Sequence, residues 1–123
     1  MAINAFKFIA TTEEKVGPNN VDIELNVSSI GGWEQVVSQT ANGVKETNAQ
    51  IPSISDSEFT LSLFELYVSS MDAETSKLLL KSVEIIGLNG STTIKTLSIS
   101  NWPTNKWLGK ISGSSSRINL GSV

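Results

Sequence analysis

Apolar residues along this chain recur mostly at every second position, the period of a strand with one buried face. The clearest case is Val21 to Val27, where Val21, Ile23, Leu25 and Val27 alternate with Asp22, Glu24 and Asn26. Ala5 to Ala10 predicts a short first strand with Phe6 and Phe8 on one face, and Val16-Gly17-Pro18-Asn19-Asn20 is turn chemistry. Glu58 to Leu63 predicts another strand with Phe59, Leu61 and Leu63 inward. The phase then slips, because Phe64, Leu66 and Val68 fall on the other parity, as a bulge or strand end near Phe64 would produce.

Two Asn-Gly pairs punctuate the pattern, and this pair suits a two-residue turn with positive φ at both positions. Trp33 to Ala41 and Val44 to Ile51 flank Asn42-Gly43, after a loop from Ser28 to Gly32. They predict a long hairpin whose tip (Ser38, Gln39, Thr40, Lys45, Glu46, Thr47) has almost nothing to bury, so it should project. Pro52 and the polar run Ser53 to Ser57 read as a connection. Val83 to Leu88 and Ser91 to Ser100 flank Asn89-Gly90; a turn there would pair Ile85 with Ile94 and Glu84 with Lys95. Ser70 to Lys81 reads as a short helix, with Ser70 or Asp72 as cap, Asp72 and Glu74 in its first turn, and Lys77 and Lys81 toward its end. Asn101 to Lys110 is a tryptophan-rich loop, Gly113 to Ser116 a small polar turn, and Arg117 to Val123 a last short strand. Without a repeat or a domain-scale linker, residues 1–123 form a single domain. The fold class expected is mainly β: an antiparallel β-sandwich or partial barrel with one short α-helix and a long projecting β-hairpin.

Composition narrows the chemistry. The 123 residues contain no Cys and no His, which removes disulfides, thiolate metal sites, the imidazole base and the usual triads. A net charge of −3 speaks against a basic nucleic-acid-gripping surface. No apolar run reaches the ~20 residues of a membrane-spanning helix, and Met1 to Lys7 lacks the build of a signal peptide, so cytoplasmic synthesis without membrane insertion is expected. On that basis the glycosylation triplets Asn26-Val27-Ser28 and Asn89-Gly90-Ser91 are read as chance.

Each candidate site competes with a plainer reading. Asp22 with Glu24, and Asp56 with Glu58, are acidic pairs without a partner motif, as expected of solvated positions. Gly87 to Thr93 lacks the Gly-Lys-Ser/Thr ending of a phosphate loop. Trp33, Trp102 and Trp107 could stack on a sugar, but the plainer reading is that they anchor loops or interfaces. Trp102, Pro103 and Trp107 are accordingly read as a loop anchor, and Ser112 to Ser116 as a flexible loop. No catalytic residue, metal ligand or cofactor site is assigned, and the chain is not read as an enzyme.

In order, Val27-Ser28-Ser29-Ile30-Gly31, the hairpin at Asn42-Gly43, Ile51-Pro52-Ser53-Ile54, Phe59-Thr60-Leu61-Ser62-Leu63, the helix near Asp72 to Lys81, the hairpin at Asn89-Gly90, Asn101-Trp102-Pro103-Thr104-Asn105-Lys106-Trp107-Leu108-Gly109 and Arg117-Ile118-Asn119-Leu120 span nearly the whole chain. That series resembles the tail-tube proteins of contractile phage tails and related injection machines, with the Trp-Pro-Thr loop its most specific piece. The resemblance implies a structural virion subunit, polymerising as hexameric rings stacked into a tube against sheath and baseplate proteins. DNA or an effector would pass through the lumen without specific binding. The hairpin residues Ser38, Gln39, Thr40, Asn42, Gly43, Lys45, Glu46 and Thr47 would then be subunit-interface positions. The last strand is shorter than usual for such proteins and the region after Gly31 less acidic, which keeps a baseplate or tube-initiator relative in view. A carbohydrate-binding β-sandwich and a capsid decoration protein are the rival readings.

Overall fold

The computed structural model describes residues 2–27, 33–35, 40–70 and 74–123. Its strands are β1 (Ile3–Val16), β2 (Ile23–Val27), β3 (Trp33–Gln35), β4 (Val44–Ile54), β5 (Phe64–Val68), β6 (Lys77–Asn89), β7 (Thr92–Ile99), β8 (Trp107–Gly109), β9 (Ser114–Ser115) and β10 (Arg117–Asn119). The larger sheet has the order β4-β1-β6-β8-β9, with β7 also on β6; the smaller has the order β10-β5-β2-β3. All pairings are antiparallel except β8 with β9. The fold is therefore mainly β, in two antiparallel-rich sheets that do not close into a barrel.

Period-two alternation builds the core between the sheets. Phe6, Phe8 and Ala10 of β1 and Val83 and Ile85 of β6 are buried, as are Ile23, Leu25 and Val27 of β2 and Phe64, Leu66 and Val68 of β5. Phe64 meets Phe6 of the opposite sheet edge-to-face at 5.5 Å between ring centroids, and Phe59 at 5.4 Å. Each fully buried side chain of this size stabilises by about 1.5–3 kcal/mol through removal from water. Gly87 lies where a Cβ would come within 2.8 Å of Ile3 Cδ1 and 2.9 Å of Phe59 Cε1. Glycine is used there because β6 runs directly against these two side chains.

Several sequence expectations are overturned. No helix of seven or more residues occurs among the described residues. The expected helix from Ser70 to Lys81 ends as strand: Lys77–Lys81 open β6, and residues 71–73 lie outside the described set. Leu78, Leu79 and Leu80 are all buried. A continuous apolar run of this kind is the mark of a strand covered on both faces as much as of a helix. Pairing with β1 over Lys77 to Leu88 supplies what a three-turn helix would have lacked.

The expected Trp33–Ile51 hairpin is likewise not seen among the described residues. β3 pairs with β2 in the smaller sheet, whereas β4 pairs with β1 in the larger one. Long-range pairing has overridden a local turn signal. The turn itself is one residue earlier than expected: Gly43 N donates to Thr40 O at 3.0 Å, and Asn42, not Gly43, takes the positive φ of 59°. That is the position at which a type II turn accepts Asn. Pro52 lies inside β4, where the register to β1 shifts between Ile3 and Ala5. A residue without an N–H is tolerated at such a bulge on an edge strand.

The β6–β7 hairpin forms, in a different register. Asn89 pairs with Thr92, so the loop is Gly90-Ser91, and Ile85 faces Leu97 while Glu84 faces Ser98. Gly90 has φ 61°, and Asn42 is the only described non-glycine with positive φ. Glycine alone with positive φ at the first loop position is the type II′ solution. Glu58 to Leu63 is not a strand but two short 3₁₀ turns, Asp56–Glu58 and Leu61–Leu63, before β5. Ser112 to Ser116 contributes the parallel strand β9, and the last strand stops at Asn119 before a 3₁₀ turn over Leu120–Ser122.

Candidate functional site

Two surfaces stand out. The first is a cleft of about 550 Å³ at one end of the larger sheet, lined by Glu13, Glu14, Leu79, Lys81, Trp102 and Trp107 among others. Two register shifts shape it. Thr11 pairs with Ser82 but Thr12 with Leu80, which leaves Lys81 bulged; Glu14 then pairs with Leu79, which leaves Glu13 bulged. Bulges re-aim side chains, and these two put exposed charged residues on the cleft rim.

The cleft wall is held from below. Trp102 is 5 % exposed; its indole Nε1 donates to Lys106 O at 2.8 Å and its backbone N–H to Lys81 O at 3.1 Å. Lys106 N donates to Pro103 O at 3.1 Å and closes the loop. Trp107 is half-buried, with Lys77 Nζ 4.3 Å from its ring centroid, a cation–π arrangement. The structure thus brings Trp102 and Trp107 together. Trp33 pairs through its backbone with Asn26 in the smaller sheet.

The second surface is formed by the outer strands of a four-strand run within the larger sheet. β6 has β1 on one side and β7 on the other, and β4 closes the far side of β1. The run β7-β6-β1-β4 therefore alternates in direction, and its outer strands run opposite ways. β4 has no buried residue over its eleven, and Val44 is 63 % exposed. The face of this sheet turned from the core carries Lys7, Ile9 and Thr11 of β1 and Ser82, Glu84 and Ile86 of β6. It also carries Glu46 and Asn48 of β4 and Thr96 and Ser98 of β7, by register with these residues. Lys7 Nζ lies 3.0 Å from Glu46 Oε1.

Of the expected interface residues, Thr40, Asn42 and Gly43 form the turn before β4, and Lys45, Glu46 and Thr47 lie on β4 itself. Ser38 and Gln39 lie outside the described residues. The turn is tied to β1: Asn42 N donates to Thr12 O at 2.8 Å, and Thr12 N to Gly43 O at 2.9 Å.

The acidic pairs stay apart from any constellation. Glu24 lies in β2 opposite Tyr67, and the backbone carbonyl of Asp22 accepts from Ser69 N at 3.0 Å. The Asp56 carbonyl accepts from Lys95 Nζ at 2.9 Å. The Ser55 hydroxyl donates to Glu58 Oε1 at 2.7 Å and the Ser55 N–H to the same oxygen at 3.2 Å, and together they hold the Glu58 carboxyl below its usual value. Among the described residues no three acidic, His or Cys side chains gather as a metal site would need, and no helix is long and apolar enough to cross a membrane. Gly87 to Thr93 occupies the β6–β7 hairpin. Sequence reasoning missed Glu13, Glu14 and Lys81 because their placement depends on bulges, which leave no local signature. No family model, curated protein or solved structure matches the chain.

Proposed function

We propose that this protein is a structural subunit that joins edge to edge into rings, the inner tail tube of a contractile phage tail or related injection machine. The observation that carries the reading is the four-strand run β7-β6-β1-β4, whose two outer strands run in opposite directions and, among the described residues, each pair with one strand only. A head-to-tail joint of β4 on one copy with β7 on the next is then antiparallel, like every pairing inside the run. Repetition removes the exposed edges that a lone sheet must otherwise protect. In such a ring the sheet face turned from the core lines the lumen, with Glu46, Glu84 and Lys7 among its charged groups. The chain's net charge of −3 suits a wall that does not hold passing phosphates. The subunit would belong to the virion tail, against sheath and baseplate proteins.

The tryptophan cleft supports a sugar-binding reading less, because Trp102 is almost wholly enclosed and Lys77 lies over the Trp107 ring. Concentration-dependent light scattering with negative-stain microscopy is the test. Rings or tubes at high protein concentration are the expected outcome. A 13.2 kDa monomer at every concentration overturns the reading.

A further inference from the structure

The two Asn-Gly pairs of this chain are chemically identical in sequence and differently held in the fold. Asn-Gly is the pair most open to intramolecular attack, because glycine puts no side chain in the way of its own nitrogen. At Asn89 both reacting groups are tied down. The side-chain amide nitrogen, which must leave, donates to Ala2 O at 2.8 Å, and the Gly90 nitrogen, which must attack, donates to Asn4 Oδ1 at 3.0 Å. Asn89 is also half-buried. At Asn42 the residue is exposed, and no hydrogen bond holds its side-chain amide among the described residues. Among the described residues the Gly43 nitrogen is held only by its turn bond to Thr40 O. Opening that single bond frees the attacking group, whereas the Asn89 site must lose two side-chain tethers.

We propose that Asn42 is a site of spontaneous deamidation and that the fold protects Asn89 from the same reaction. The Gly43 nitrogen attacks Asn42 Cγ, loses its proton and forms a five-membered succinimide as the Cγ–N bond breaks and ammonia leaves. Water then opens the ring. Opening at the side-chain carbonyl gives aspartate; opening at the main-chain carbonyl gives isoaspartate, with the backbone running through the former side chain. The sum is amide plus water to acid plus ammonia, with no oxidation. The product adds a carboxylate beside Lys45 and Glu46, and the isoaspartate form lengthens the turn that carries the Asn42–Thr12 and Thr12–Gly43 bonds. Thr12 is fully buried, so the change reaches the end of the β1–β4 pairing.

The test is peptide mapping by mass spectrometry with isoaspartate detection, on the full chain held in mildly alkaline buffer, folded and in urea. Folded protein is expected to convert at Asn42 about fivefold or more faster than at Asn89, the difference being the tethers that hold the second site closed. In urea the two sites should convert at similar rates. Equal rates in the folded protein, or faster loss at Asn89, overturn the proposal. As a second measurement, Gly43→Ala is expected to slow conversion at Asn42 without unfolding, since Gly43 is not among the glycines with positive φ. Unchanged conversion in a folded Gly43→Ala protein would also overturn it. None of these readouts depends on ring formation.

Discussion

β6 and β4 belong to one sheet and are of similar length, 13 and 11 residues, yet they do different physical work. β6 has neighbours on both sides and places Leu78, Leu79, Leu80, Val83 and Ile85 out of water. β4, among the described residues, pairs with β1 alone and has no buried side chain. The sheet thus keeps its stability at the centre and leaves a polar strand at its margin, with hydrogen-bonding groups facing outward. Lys45, Glu46 and the Pro52 bulge on that margin are the kind of devices that keep a sheet edge from pairing indiscriminately.

The comparison breaks most visibly under truncation. Leu80→Ala, at a side chain 1 % exposed, is expected to cost roughly 2–5 kcal/mol in chemical denaturation, as buried Leu truncations do. A loss under ~0.5 kcal/mol would mean that β6 is not the stabilising centre. On β4, Glu46→Ala removes one partner of an ion pair whose side chains are 37 % and 49 % exposed, and is expected to change stability by ~1 kcal/mol or less. A larger loss would make the margin part of the core's cooperativity. The smallest effect belongs to Glu58. Its folded pKa lies below the ordinary 4.5, so its contribution is present above the unfolded value and disappears as pH falls through the folded one. Carboxyl NMR titration should place its midpoint below 4.5, and Ser55→Ala should move it part of the way back.

What could be read beforehand divides along the same line. Val21 to Val27 was legible because alternation with one wet face admits a single interpretation, and these four apolar residues are indeed buried. Leu78 to Leu80 was not: when both faces of a strand are covered, the period disappears and the flanking charges imitate helix ends. Asn42-Gly43 misled for a different reason. It marked a real turn, but which strands lie either side of a turn depends on partners distant in sequence, here β1 for β4 and β2 for β3. At the cleft, Trp102 and Trp107 were visible as residues, while Glu13 and Lys81 reached it through bulges that no local pattern encodes.

Pro52 acts as punctuation on the open margin. Without an N–H, and placed between the Gln50–Ala5 and Ile54–Ile3 pairs where the register shifts, it follows the end of the regular stretch of β4 at Gln50. The stretch that remains, Val44 to Gln50, is one residue shorter than the 8 of β7 at the opposite margin. At ~3.4 Å per residue the two are about 24 and about 27 Å long. One imino acid thereby trims the longer margin to nearly the measure of the shorter, so the proposed seam between two copies would run almost its full length.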